Sequence, residues 1–492
     1  MFMLLCGLIA LLLPGAKGAK NVLFIIADDL RPQLDVYKEF NLGPTHTPNL
    51  DELAGKSLLL KRAYVQYALC SPSRTSFLTG RRPDTTHVYD LDHYFRTVGG
   101  NFTTMPQYFK NHGYRSVGIG KIYHPGMAAS HGNDPISWNE FYRETEEFGA
   151  AGHKLSWKAV SDAERQKTPL VDEKIAAQAK RSLNELSKMS QPFFLAVGFH
   201  KPHLPFVFPQ KFLSTFPLSE IHLPNNAYAP VDMPRIAWSS YGELRSYNDI
   251  GALNATGQPN TTLPDHIVRD LRRAYFSAVS YMDAMVGEVL AEVKKLNLMN
   301  DTIISFIGDH GYSLGEHGLW NKHTNFEDAV HAPMMIRVPG LTDQGAVTDQ
   351  LVEFVDLFPT IVEAAGLPQL TMCPEQSSHI DICSEGKSMV HLMKYPHEQW
   401  KTAAFSQYRH GHVMGYSVRT NRYRYTEWVK FSGAPNYKAD LSEVVAEELY
   451  DHVQDMQENI NLAHHGNSAN IVASLKKTLH VGWRSIHTNL IG

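Results

Sequence analysis

The stretch NVLFIIADDL, residues 21–30, runs six apolar residues from Val22 to Ala27 without a break and closes on two carboxylates, Asp28 and Asp29. An uninterrupted apolar run of this length is what a strand buried on both faces requires, and such strands belong to parallel sheets covered by helices. Two adjacent carboxylates at its end repel each other and are costly to bury unless a cation sits with them. One short segment thus predicts both a fold class and a place for chemistry.

Working outward, the same pattern recurs. SVGIGK (116–121), PFFLAVGFH (192–200) and DTIISFIGDHG (301–311) read as three further buried strands, each ending in polar or charged residues. Helical stretches separate them. Thr47-Pro48 opens one, with Thr as N-cap and Pro in the first turn; TMPQYFKNHGY (104–114) is closed by Gly113; amphipathic runs span about 171–189 and 265–297. Strands alternating with helices predict an α/β fold with a large, mostly parallel central sheet flanked by helices. Ligands in such sheets bind beyond the carboxyl ends of the strands, so Asp28, Asp29, Asp309 and His310 share one candidate site. Three Asp and one His suit a divalent cation, the oxygens favouring Ca²⁺ or Mg²⁺. After Cys383 the pattern changes: MGYSVRTNRYRYTEWV (414–429) and EELYDH (447–452) read as antiparallel strands and 470–483 as a last helix. This predicts a catalytic domain over 19–394 and a smaller α+β subdomain over 395–492. The Asn- and Pro-rich stretch 225–262 shows no periodicity from which an element can be read.

The first residues, MFMLLCGLIALLLPGAKGAK, are apolar through Leu13 and then small and polar. Such a run is too short to span a bilayer, and Ala16-x-Gly18 suits cleavage, so residues 1–18 read as a signal peptide. Asn101, Asn254, Asn260 and Asn300 each head an N-x-Thr acceptor, which fits the secretory route. No later apolar run is long enough to cross a membrane. A net charge of −4 without a basic stripe argues against a nucleic-acid partner. Of the four cysteines, Cys6 leaves with the leader, and Cys373 and Cys383 close a short polar loop at the spacing of a local disulfide. Cys70 is left over, as a buried thiol or as a site of chemistry.

Cys70 opens C-S-P-S-R, with Pro72 suited to a first helical turn. A helix N-terminus there favours an anion and would depress a thiol pKa. A cysteine carries Pro at +2 and Arg at +4 by chance about once in 400. C-x-P-S-R followed by Leu78-Thr-Gly-Arg81 resembles the signature of type I sulfatases, of the alkaline phosphatase superfamily. TPNLDELA (47–54), GK…HPG (120–126), HKPHLPF (200–206) and DHG…LGEHG (309–318) extend the resemblance along nearly the whole chain, and RRPDTT and MGYSVRTNRYRYT are most similar to its iduronate-type branch.

The resemblance implies a sulfuric ester hydrolase of the secretory pathway or lysosome, removing the 2-O-sulfate of terminal iduronate from heparan and dermatan sulfate. It implies that a formylglycine-generating enzyme converts Cys70 to Cα-formylglycine, whose hydrate offers one hydroxyl for attack on sulfur and a second that expels sulfate. It implies one Ca²⁺ held by Asp28, Asp29, Asp309, His310 and residue 70. Arg74 would steady residue 70 and the carboxylates, Lys121 and His124 would flank the hydrate with His124 as base, and His200 and Lys322 would hold the sulfate and protonate the leaving oxygen. A cluster of cationic donors is what a sulfuryl transition state requires. Departures from the branch are the absence of any Cys between 71 and 372, where it carries a second disulfide, and Tyr312 and His323 beside the site in place of Trp and Tyr. A sulfatase for another sulfated sugar, a phosphatase on the same fold and a non-catalytic glycan binder remain alternatives at this level. The phosphatase expects Ser or Thr where this chain has Cys70.

Overall fold

The computed structural model describes residues 18–143 and 155–488; all of the expected leader but Gly18 lies outside them. Fourteen strands are described: β1 Asn21–Asp28, β2 Leu58–Tyr64, β3 Arg115–Gly120, β4 Glu140–Tyr142, β5 Trp157–Val160, β6 Phe193–Pro202, β7 Phe206–Pro209, β8 Thr302–Gly308, β9 Met334–Arg337, β10 Ala346–Glu353, β11 Ala403–His410, β12 Val413–Thr420, β13 Tyr423–Ser432 and β14 Lys438–Asp451. Eight form the central sheet in the order β10-β2-β9-β8-β1-β6-β3-β4. Every pairing is parallel except the two that β9 makes, which are antiparallel.

The apolar run of β1 divides between two cores because successive side chains point to opposite faces. Leu23, Ile25 and Ala27 pack with Ile175, Ala179 and Leu183 of the helix Val171–Leu186 and with Ala278, Met282 and Val286 of Asp265–Lys295. Val22, Phe24 and Ile26 pack with Phe77 and Leu78 and with Met105, Phe109 and Ile361. Of the helix starts read from sequence, Thr104 forms a full capping box with Gln107. Thr47 precedes helix α1 (Pro48–Ala54) without a side-chain cap; its hydroxyl instead accepts from the Asp35 amide and donates to Asp51.

β11 to β14 form a separate antiparallel sheet in sequential order, its face closed by the helix Ala469–Val481 through Leu475. Cys373 and Cys383 are disulfide-bonded. All four sequon asparagines are exposed. The stretch 225–262 is a chain of single turns, among them Arg235–Ala237, Leu244–Ser246 and Asn248–Gly251, pinned by side chains rather than by regular pairing. Among the described residues no helix is long and apolar enough to cross a membrane.

Candidate active site

β8, β1, β6 and β3 are neighbours and mutually parallel, so their carboxyl ends open on one edge. Asp309 and His310 follow β8, Asp28 and Asp29 end β1, Lys121 and His124 follow β3, and His200 and His203 lie at the end of β6. Helix α2, Cys70–Thr79, starts above this edge with Cys70 as its first residue.

The chain turns at Asp29 with φ 59°, a left-handed conformation costly for a residue with a Cβ. It is held by the Asp29 amide donating to Asp309 Oδ1 at 2.9 Å and the Tyr275 hydroxyl donating to the Asp29 carbonyl at 2.7 Å. The turn separates the partners of the two carboxylates: Asp28 meets Arg74 and Lys121, whereas Asp29 meets Lys322. Arg74, fully buried, donates from Nε to Asp309 Oδ2 at 2.8 Å, from Nη2 to Asp28 Oδ1 at 2.9 Å and from Nη1 to the carbonyls of Lys121 and Ile122. One rigid guanidinium fork thereby ties three strand ends together. Gly198 permits the close passage this needs, since a Cβ there would lie 2.0 Å from the Lys121 carbonyl oxygen.

Cys70 Sγ stands 3.5 Å from Asp28 Oδ1, 3.4 Å from His310 Nε2 and 3.7 Å from Lys121 Nζ. Ligand atoms of Asp28, Cys70, Asp309 and His310 fall within 4.8 Å of one another, and Asp29, Cys70 and His203 form an overlapping group. His310 Nδ1 lies 2.9 Å from the Gly311 carbonyl, which can only accept, so Nδ1 carries a proton and Nε2 is the ring nitrogen that faces Cys70. Three carboxylates suit a hard divalent cation, and the imidazole nitrogen is the poorer-fitting ligand of the set. The expected depression of the Cys70 thiol does not hold. Burial and the Asp28 charge push it well above its ordinary value, against Lys121 and Lys322.

Burial would raise Asp28, but Lys121, His203 and Arg74 outweigh it and hold the carboxyl well below the usual range. Burial raises Asp309 despite Arg74. Burial works to lower Lys121 and Lys322, yet Asp28 raises the first and Asp29 with Glu243 the second, so both stay charged. His124 is lowered to about 3 by burial and by Lys121, which leaves it neutral, and its Nδ1 is buried without a hydrogen-bond partner. His323, also lowered by burial and Lys322, sits at about 4, and its ring stacks on Tyr408 of β11.

Lys322 donates to both oxygens of Asp29 at 3.0 and 2.9 Å and reaches His203 Nε2 at 3.3 Å. Of the two histidines in HKPHLPF, it is thus His203 whose ring meets Lys322 and stands 3.8 Å from Asp29. His200 lies three residues earlier with its amide donating to Asp172 Oδ1 at 2.8 Å. Glu243, from the stretch that carries no periodicity, contacts Lys322 at 3.2 Å and His203 at 3.4 Å. Burial opposes its ionisation, but Lys322, His203 and His323 lower it to about 2. These two residues join the site beyond those read from sequence; His203 was visible in its motif, whereas nothing local marks Glu243. A cavity of about 450 Å³, lined by Arg82, Asp84, Glu385, Gln407 and Trp483, opens beyond the other end of α2 and contains none of these groups.

The Sulfatase family profile matches residues 20–367, and the profile described as N-sulphoglucosamine sulphohydrolase, C-terminal, matches 315–482. Iduronate 2-sulfatase of Mus musculus is 37% identical, the match covering 94% of each chain. Among solved structures, one in complex with its substrate D-glucosamine-2-N,6-O-disulfate superposes with a TM-score of 0.68 at 19% identity, covering 94% of this chain and 97% of that one. The phosphonate monoester hydrolase of Agrobacterium radiobacter superposes at 0.70 and 19% identity, covering 94% and 95%. The likeness to these two structures is one of fold, whereas the profile over 20–367 and the mouse relative extend to the sequence itself: the chain belongs to the sulfatase family of sulfuric ester hydrolases.

Proposed function

We propose that this sulfatase removes the 2-O-sulfate of iduronate at the non-reducing end of heparan and dermatan sulfate, in the lysosome reached through the secretory pathway. The observation that carries the chemistry is Cys70 Sγ between Asp28, His310 and Lys121 at the carboxyl edge of the sheet. The substrate rests on the 37% identity with mouse iduronate 2-sulfatase over 94% of both chains.

Asp28, Asp29, Asp309 and His310 would hold a Ca²⁺ ion, which when bound supplies Lewis-acid stabilisation to oxygen nucleophile and sulfuryl oxygens. Conversion of Cys70 by a formylglycine-generating enzyme supplies a hydrated aldehyde, with one hydroxyl to attack sulfur and another whose deprotonation expels sulfate. Four carboxylates, Asp28, Asp29, Asp309 and Glu243, meet three cations, Arg74, Lys121 and Lys322, so a divalent ion turns the site positive for an anionic ester. Arg74 fixes residue 70 against Asp28 and Asp309, and Lys121 steadies the charge that forms on its oxygen. His124, neutral and read from the motif as the base, would take the hydroxyl proton. On the opposite side Lys322 and His203 hold the sulfate and donate toward the departing sugar oxygen, so the part read for His200 passes to His203.

Two measurements test this. Mass spectrometry of the peptide spanning Cys70, from a eukaryotic host, is expected to find the aldehyde, and unmodified thiol alone would overturn the mechanism. Turnover of a 2-sulfated iduronate substrate is expected to exceed that of a 6-sulfated glucosamine; the reverse would reassign the substrate and leave the chemistry standing.

A further inference from the structure

Glu243 lies outside every sequence motif of the site, yet it is the residue on which the leaving-group side converges. Its Oε2 is 3.2 Å from Lys322 Nζ and its Oε1 is 3.4 Å from His203 Nε2, while those two nitrogens are 3.3 Å apart. Lys322 is a flexible stem with a point charge and has no preferred direction of its own. Asp29 takes it from one side, and without a second carboxylate its ammonium is free to turn wholly onto Asp29, away from substrate. His203 is oriented at Nδ1 by the Leu204 carbonyl, which leaves Nε2 toward Lys322 and Glu243.

The backbone carrying Glu243 is also built around Lys322. Asn321 Nδ2 donates to the carbonyls of Ser239 and Ser240 at 3.2 and 2.9 Å, Trp238 Nε1 donates to Gly257 O at 2.9 Å, and the Tyr241 hydroxyl donates to Thr261 O at 2.7 Å. The residue preceding Lys322 therefore grips the very turn that delivers Glu243. A loop without regular structure is fixed at the point where it faces the active centre, as a positioning role demands.

We infer that Glu243 is a positioning residue, which sets Lys322 and His203 in the geometry that stabilises charge on the departing ester oxygen. The inference rests on the sulfatase reading above. Its consequence is a dependence on leaving group, because a phenolate departs with little help whereas a sugar alkoxide needs a donor.

The test compares wild type, Glu243→Gln and Glu243→Asp on a 2-sulfated iduronate substrate and on 4-nitrophenyl sulfate, with thermal melting as control. For Glu243→Gln, kcat on the sugar ester is expected to fall about 100-fold with KM changed less than about 3-fold, while the aryl ester loses less than about 3-fold. Glu243→Asp should recover part of the loss. In Glu243→Ala, formate should restore turnover of the sugar ester where chloride does not. Equal loss on both esters, unchanged sugar-ester kcat, or a loss that formate does not reverse would each overturn the inference while leaving the sulfatase reading intact. A wild-type enzyme with Cys70 fully converted that cleaves neither ester would overturn both.

Discussion

The carboxyl edge of the central sheet and the junction with the C-terminal sheet both bury a knot of metal-type ligands. Asp28, Cys70, Asp309 and His310 form one; Glu327, His452 and Glu458 form the other, with ligand atoms equally within 4.8 Å of one another. They differ in what stands at the centre. At the junction Arg424 donates to both Glu327 and Glu458, Nε reaching Glu458 Oε1 at 2.6 Å. Arg419 meets Glu327 at 3.2 Å, Tyr64 donates to its other oxygen at 2.7 Å, and His452 Nε2 lies 2.8 Å from Glu458. Each carboxylate oxygen there has a donor, and a cation would have to displace an arginine fork. At the sheet edge each carboxylate oxygen likewise has a donor, from Arg74 and Lys121 on Asp28, Lys322 on Asp29, and Arg74 and the Asp29 amide on Asp309, but there the Cys70 side chain stands among them, 3.5 Å from Asp28 and 3.4 Å from His310. Proximity of ligand atoms and an arginine fork are thus common to both knots, and what sets the sheet edge apart is the side chain of residue 70 at its centre.

The largest expected effect lies at residue 70. Cys70→Ser should lose turnover by a factor on the order of 10⁴–10⁶, because a serine sulfate ester has no second hydroxyl to expel sulfate. Its melting temperature should stay near that of wild type, as serine fits the space of the thiol. Steady-state kinetics and mass spectrometry check this: a variant turning over like wild type would refute it, and a trapped sulfated serine would sharpen it.

The comparison itself is tested by a pair of substitutions. Asp309→Asn should abolish Ca²⁺ binding measured by calorimetry, and chelation should lower the melting temperature of wild type but not of this variant, since an ion that binds only the folded state stabilises by mass action. Glu458→Gln should keep full Ca²⁺ affinity yet cost about 3 kcal/mol in denaturant unfolding, because it strands part of a buried arginine's charge. Loss of Ca²⁺ binding on changing Glu458 would show the junction to be the cation site.

Much of the edge was legible in residues for a physical reason. β1, β6 and β8 are buried on both faces, so their apolar runs are continuous, and the polar residues that interrupt them mark the tips. β9 is four residues, MMIR, and is antiparallel to both neighbours, so its run is too short to separate from a helix turn. β11, AAFSQYRH, alternates poorly because Ser406 and Gln407 are buried through hydrogen bonds to the Val65 carbonyl and to Asp84. Between His200 and His203 no local pattern chooses; the turn after β6 does. The turn that delivers Glu243 is held by Asn321 on the Ser239 and Ser240 carbonyls, 82 and 81 residues away along the chain, and contacts of that kind leave no periodicity to read.

The last test concerns Glu448, a junction carboxylate held by neutral donors. Glu448 accepts from Trp428 Nε1 at 2.6 Å and from the Tyr450 hydroxyl at 2.7 Å, both neutral donors. Burial pushes it from 4.5 up to about 7, with Glu458 adding to the rise and Arg424 opposing it. Because the folded value exceeds the unfolded one, its contribution to stability is fully present below about pH 4.5 and is lost as the pH rises through about 7. The ionised form should then cost on the order of 3 kcal/mol at pH 8. Glu448→Gln removes that charge while the Tyr450 hydroxyl can rotate to accept from the new amide, so the variant should be more stable than wild type at pH 8 and equal to it at pH 4. Unfolding curves at the two pH values check the sign. A variant less stable at both would mean that Glu448 is ionised within the Arg424 network after all, and the junction would then be saturated at every carboxylate.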